Sequence, residues 1–156
     1  RSGAGVEALR ALGADAVVAT DRDDLVSEVA RITAGAGVPH ALDCVGGEVA
    51  GQVVRCLGPG GHLVLYGTLA NAPVAVPSRD LMMPMTRVSG FLLPTWLAGQ
   101  SPLKLLGILR SVRRLIADGV FHAPVAQTYP LERVAEAVAA SLQPGRPGKI
   151  LLRMPG

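Results

Sequence analysis

Segments of about ten residues with helical spacing alternate with apolar runs of roughly five or six in the first half of this chain, and this alternation constrains the fold most. In VEALRALG, Val6, Leu9 and Leu12 fall on one helical face, and Gly13 supplies a stop. AVVAT (16–20) then reads as a short buried strand. Asp23 and Asp24 can cap a second helix, LVSEVARITAG, which ends near Gly35. HALDCV (40–45) is a second apolar strand, and EVAGQVVRCL is a third helix, closed by a turn at Gly58–Gly61. HLVLYG (62–67) is the next strand. Strands this short and apolar, separated by helices, are most simply satisfied by a parallel sheet with crossover helices. The predicted class is therefore α/β.

Beyond residue 67 the rhythm changes. TLANAPVAVPSRD is irregular and proline-rich, and a short helix over 81–85 follows it. RVSGFLLPTW (87–96) reads as a strand, interrupted at Gly90 and stopped by Pro94. SPLKLLGILRSVRRLIADG has the apolar spacing of an amphipathic helix, through Leu105, Ile108, Leu109, Val112, Leu115 and Ile116. After HAPVAQTYPL come a helix, ERVAEAVAASL, and a closing strand, KILLRM.

The remaining chemistry excludes several classes. The net charge of +3 comes from scattered arginines, and the few aromatic residues do not interleave with a basic cluster, so no nucleic-acid partner is expected. No apolar run is long enough to span a membrane, and the basic amphipathic helix is better suited to packing on a sheet than to lying on a lipid surface. Cys44 and Cys56 form no C-x-x-C pair; they read as buried free thiols of a reducing compartment, which implies a cytoplasmic protein. His40, His62 and His122 lack metal-ligand spacing, and no zinc is expected.

Two glycine-containing stretches remain. GAGVEA, at residues 3–8, fits the G-x-G-x-x-A form of a dinucleotide-binding turn, with Asp21 downstream where an acidic residue would hold a ribose. That motif needs a buried strand before its first glycine, and only Arg1 and Ser2 precede it here. The bland alternative is a loosened turn entering a helix. Gly46, Gly47 and Gly67 stand at strand ends, where open α/β sheets bind ligands, although ordinary strand-to-helix turns use glycine too. LGPGGHLVL is also similar to a segment of S-adenosylmethionine-dependent methyltransferases. Their glycine-rich cofactor motif is not found upstream, and the downstream order differs from theirs.

ALRALGADAVV, HALDCVGG, CLGPGGHLVLYGTL, RVSGFLLPTW, YPLERVAEAVAA and GRPGKILL occur together in one order. In that order the chain resembles the C-terminal half of a medium-chain dehydrogenase/reductase. YGTL followed by GFLLPTW is most similar to the zinc-independent branch, which holds 2-enoyl thioester reductases and quinone oxidoreductases.

The resemblance implies an incomplete Rossmann-type doubly wound sheet holding strands three to six, with residues 1–121 in the nucleotide-binding domain. Residues 122–156 become a helix and strand returning to a catalytic domain outside this chain. It moves GAGVEA one strand–helix unit downstream of the phosphate loop, so Asp21 loses its ribose role. It implies NADPH as cofactor, with NADH possible, and hydride transfer to an α,β-unsaturated thioester or ketone. Cofactor contacts carry over to Arg1 at the 2′-phosphate, to Tyr66, Gly67, Thr68 and Leu69 beside the nicotinamide, to Phe91, Leu92 and Leu93 near the carboxamide, and to Lys149. No residue of the family's catalytic acid falls in this chain, so it is expected to be inactive alone. The resemblance also implies a homodimer formed through the strand 87–93. The competing expectation is a non-catalytic oligomerisation module.

Overall fold

The computed structural model describes residues 5–121, 123–143, 146 and 148–154. The chain divides into two compact units, Arg1–Gly99 and Gln100–Gly156, each with its own wholly parallel sheet.

The first unit opens with α1 (Val6–Ala11), which has no buried residue, and α2 (Leu25–Ile32). Asp24 caps α2 by accepting the Ser27 amide at 2.8 Å. That hydrogen bond lowers the Asp24 carboxyl below its ordinary value. There follow β1 (Val38–Asp43), α3 (Gly47–Arg55), β2 (Leu57–Leu65), α4 (Ser78–Met82), β3 (Arg87–Gly90) and α5 (Leu93–Ala98). The sheet order is β1-β2-β3, with β2 in the centre. Val54 of α3 packs with Leu57 and Leu63 of β2, and Val38, Ala41, Val76 and Leu81 close around them. The α/β class and the parallel crossover topology are thus those predicted.

Four local expectations are corrected. Residues 16–20 form no strand, because no neighbouring strand offers them a ladder among the described residues. The segment instead ends in a turn, with the Ala19 carbonyl accepting the Arg22 and Asp23 amides. The Asp23 carboxylate in turn accepts the Ala19 amide at 3.1 Å. Gly58–Gly61 do not close a helix; they begin β2, which pairs with β1 from Val38↔Leu57 through a bulge. A Cβ on Gly58 would stand 2.4 Å from the Ala36 carbonyl oxygen, so only glycine lets the chain pass there. The short helix lies over Ser78–Met82, starting after the extended Pro77. Finally, the strand predicted over 87–93 stops at Gly90. Pro94 sits in the first turn of α5, where its fixed φ suits helix initiation, and Leu92 is the N-cap.

The second unit holds α6 (Pro102–Ala117), β4 (Val125–Pro130), a 3-10 turn (Leu131–Arg133), α7 (Val134–Leu142) and β5 (Lys149–Arg153). The Ser101 hydroxyl accepts the Lys104 amide at the start of α6. β4 and β5 pair in parallel, and α7 is the crossover between them. Among the described residues of this unit, Tyr129 of β4 and Ala137 of α7 are buried. The Arg133 guanidinium lies 5.6 Å from the Tyr129 ring centroid.

Candidate functional site

Because β1, β2 and β3 are parallel and register Asp43↔Leu65 and Leu65↔Gly90, all three leave the sheet at one edge. The exits are tied to one another. Asp43 is buried, and its carboxylate accepts the Val45 amide at 2.9 Å and the Gly46 amide at 2.8 Å. This local turn bends the chain into α3, through Gly46 and Gly47 at φ +74° and +62°. The exit of β2 is laced to that of β1. Tyr66 donates its amide to the Asp43 carbonyl at 2.9 Å, Leu69 to Cys44 at 3.2 Å and Ala70 to Val45 at 2.8 Å. Gly67 passes so close that a Cβ there would lie 2.6 Å from the Cys44 carbonyl oxygen. The exit of β3 is fixed by the Phe91 amide, which donates to the Leu65 carbonyl at 2.8 Å.

Between the exits of β2 and β3 lies an open cleft of about 650 Å³. Of the residues predicted from sequence, Tyr66, Gly67, Thr68, Phe91 and Leu92 line it together, and Leu65 and Gly90 form its base. Leu69 and Leu93 lie outside the lining and are exposed. Lys149 opens β5 in the second unit, donating its amide to the Pro124 carbonyl at 2.7 Å. Arg1 lies outside the described residues.

Four lining residues were not predicted: Leu65 and Gly90 at the base, and Thr95 and Trp96. Once Pro94 is read as a helix start, Leu92, Thr95 and Trp96 stand at i, i+3 and i+4, on one side of the first turn. Trp96 packs tilted against Phe91, ring centroids 6.0 Å apart. Among the described residues no charged side chain lines the cleft. At its rim, hydrogen bonding to the Cys44 side chain raises the Tyr66 phenol above its ordinary value, so this hydroxyl holds its proton.

The two thiols differ, which corrects the expectation that both are buried. Cys56 is buried, with its Sγ 3.3 Å from the Gln52 carbonyl, and burial raises its thiol. Cys44 is exposed because β1 ends one residue before it. Among the described residues no three His, Cys, Asp or Glu side chains are grouped to hold a metal. No helix among them is long and apolar enough to cross a membrane.

Comparison with known proteins gives a consistent set. The sequence profile of a family described as zinc-binding dehydrogenase matches residues 12–152. Over 147 residues the chain is 33% identical to the mitochondrial enoyl-[acyl-carrier-protein] reductase of Mus musculus, covering 94% of this chain and 39% of that protein. The Homo sapiens enzyme of the same name is 31% identical, with the same coverage of both chains. A crystal structure described as an NADPH:quinone reductase from Bacillus thuringiensis superposes with a TM-score of 0.86 at 28% identity. It covers 96% of this chain and 46% of that one. A 2-haloacrylate reductase gives a TM-score of 0.79 at 25% identity, over 94% of this chain and 46% of that one. The chain thus spans less than half the length of these relatives.

Proposed function

The chain belongs to the zinc-binding dehydrogenase family, which is one of nicotinamide-dependent oxidoreductases, and on that premise we propose that it supplies the nicotinamide-facing edge of an NADPH-dependent reductase. The whole protein reduces an α,β-unsaturated thioester or ketone. The observation that supports this reading most directly is the convergence of Tyr66–Thr68 and Phe91–Leu92 on one uncharged cleft at the carboxyl edge of a parallel sheet. A flat, uncharged ring with a carboxamide suits such a lining, since nothing charged is desolvated when it enters.

When bound, the cofactor supplies a hydride from its C4 to the β-carbon of the unsaturated substrate, and a proton added at the α-carbon completes the reduction. This chain's own contribution is positioning. The close approach of Gly67 to Cys44 holds the β2 side of the cleft. The Phe91 amide is already engaged by Leu65, so a carboxamide meets the backbone beyond it, at Leu92 or Leu93. We take Leu69 to flank the same ring, and Arg1 and Lys149 to serve the cofactor's phosphate end and a late contact. Residues 122–156 act in this reading as the segment that returns to the catalytic domain.

The test uses the sole tryptophan, Trp96, which borders the cleft. Titration of the full chain with NADPH is expected to quench Trp96 emission and sensitise dihydronicotinamide emission, in a saturable way. An unchanged Trp96 spectrum at saturating NADPH overturns the proposal. The chain assayed alone with NADPH and a crotonyl thioester is expected to give no turnover.

A second reading is supported by one feature. β3 is an edge strand, and all four of its residues are exposed, which leaves a row of backbone groups for a second copy. Concentration-dependent dimerisation in size-exclusion chromatography, abolished in Val88→Pro, supports a homodimer through this strand. Dimerisation with no NADPH response favours a non-catalytic module.

A further inference from the structure

At the end of the first sheet where the strands enter, opposite the exits that form the cleft, two arginines share one hollow. Arg55 is the last residue of α3, just ahead of β2, and Arg79 is the second residue of α4, which leads into β3. The hollow between them measures about 400 Å³ and is lined also by Asp80, Leu57, Met83 and Pro84. Its frame is held from behind. The Gly60 amide donates to the Pro84 carbonyl at 2.7 Å, and the Thr86 hydroxyl donates to the Asp80 carbonyl at 3.1 Å. Leu81 of α4 packs against the buried Val54 and Leu57.

Among the described residues, neither the Arg55 nor the Arg79 guanidinium has a hydrogen-bonded or ion-paired partner, whereas Arg31, Arg114 and Arg133 each pair with a nearby carboxylate. Asp80 is half-buried beside them, and no ion pair joins its carboxylate to either arginine. Two guanidiniums on one hollow suit a doubly charged oxyanion, because each presents a planar fork of donors to phosphoryl oxygens. A carboxylate next to them repels a second anion and accepts hydrogen bonds from hydroxyl groups. Leu57, Met83 and Pro84 give the space between an apolar surface, which suits the C–H face of a sugar ring. The volume lies within the span of small-molecule sites.

We propose that Arg55, Arg79 and Asp80 form a binding site for a sugar phosphate, the phosphoryl group lying between the arginines and the sugar hydroxyls on Asp80. The site stands apart from the cleft at the strand exits and does not depend on the cofactor reading.

Isothermal titration calorimetry of the full chain with ribose 5-phosphate, without NADPH and at saturating NADPH, is the test. Saturable binding is expected, equal under both conditions and about tenfold tighter than inorganic phosphate, as hydroxyl bonds to a carboxylate would give. Arg55→Gln and Arg79→Gln, both at exposed positions, are each expected to weaken it about tenfold. Arg110→Gln, at an exposed arginine of α6, leaves it unchanged. Asp80→Ala brings ribose 5-phosphate and inorganic phosphate to the same affinity. Absence of saturation, displacement by NADPH, an Arg110→Gln loss equal to that of the arginine pair, or an undiminished sugar preference in Asp80→Ala overturns the proposal.

Discussion

β2 and β3 lie side by side in one ladder, yet they live in different environments. Leu57, Gly58, Gly61 and Leu63 of β2 are buried, whereas every residue of β3 is exposed. The partners Leu63 and Val88 show the contrast within one register pair, at 0% and 37% exposure. The stability of the first unit therefore rests on β2 and its packing against α3, while β3 contributes its backbone and its exit. A strand that carries little packing can carry ligand-facing residues at its end without the core resisting change there.

Substitutions across this ladder test the contrast, most sharply at its centre. Leu63→Ala is expected to destabilise the chain by about 2–5 kcal/mol in urea denaturation, because it opens a cavity in the packed cluster. Val88→Ala, its neighbour, is expected to change stability by less than about 1 kcal/mol. Equal losses at the two positions would show that β3 is buried in solution, and so would break the comparison.

Asp43→Ala removes the acceptor of two amides at a buried strand end, and is expected to lower stability by about 2 kcal/mol. The glycines at the two exits give a smaller but cleaner pair. Gly67→Ala must push against the Cys44 carbonyl and is expected to destabilise by about 1–2 kcal/mol, whereas a Cβ on Gly90 meets nothing within 4 Å. Gly90→Ala should therefore melt with wild type in the same urea series.

The smallest effect is electrostatic. The Tyr66 phenol is raised above its ordinary value of 10.0 by hydrogen bonding to Cys44, so the folded state favours the protonated form. The associated stability is present below the ordinary value and is lost as pH rises through the raised one. Spectrophotometric titration, taken as wild type minus Tyr66→Phe, is expected to show a late midpoint that moves back in Cys44→Ala.

Much of this was legible in the residues. Helix–strand alternation gave the parallel crossover fold, since period and length are local properties that survive packing. The strand expected at 16–20 failed because a strand exists only through a neighbour, and its apolar composition says nothing about one. Gly58–Gly61 read as a turn, but the close passage of Ala36 lets glycines begin a strand there. At GFLLPTW, Pro94 was taken as the end of a strand when it is also the start of a helix. That one ambiguity concealed Thr95 and Trp96 from the candidate site, while Tyr66, Gly67, Thr68, Phe91 and Leu92 entered it through the family resemblance. Asp43 gave no signal, as an acid bonded to amides two and three residues ahead looks in sequence like any polar residue ending an apolar run.

The approach of Gly67 to the Cys44 carbonyl has a consequence for how this edge can diversify. Where β1 and β2 leave the sheet, Gly67 and the amides of Tyr66, Leu69 and Ala70 meet main-chain atoms of Asp43, Cys44 and Val45. The exit of β2, which forms one side of the cleft, is thus held by main-chain contacts and not by the side chains that decorate the walls. Positions such as Leu92, Thr95 and Trp96 can be exchanged for larger, smaller or more polar ones while the frame keeps its dimensions, so the site can change what it accepts without rebuilding what holds it.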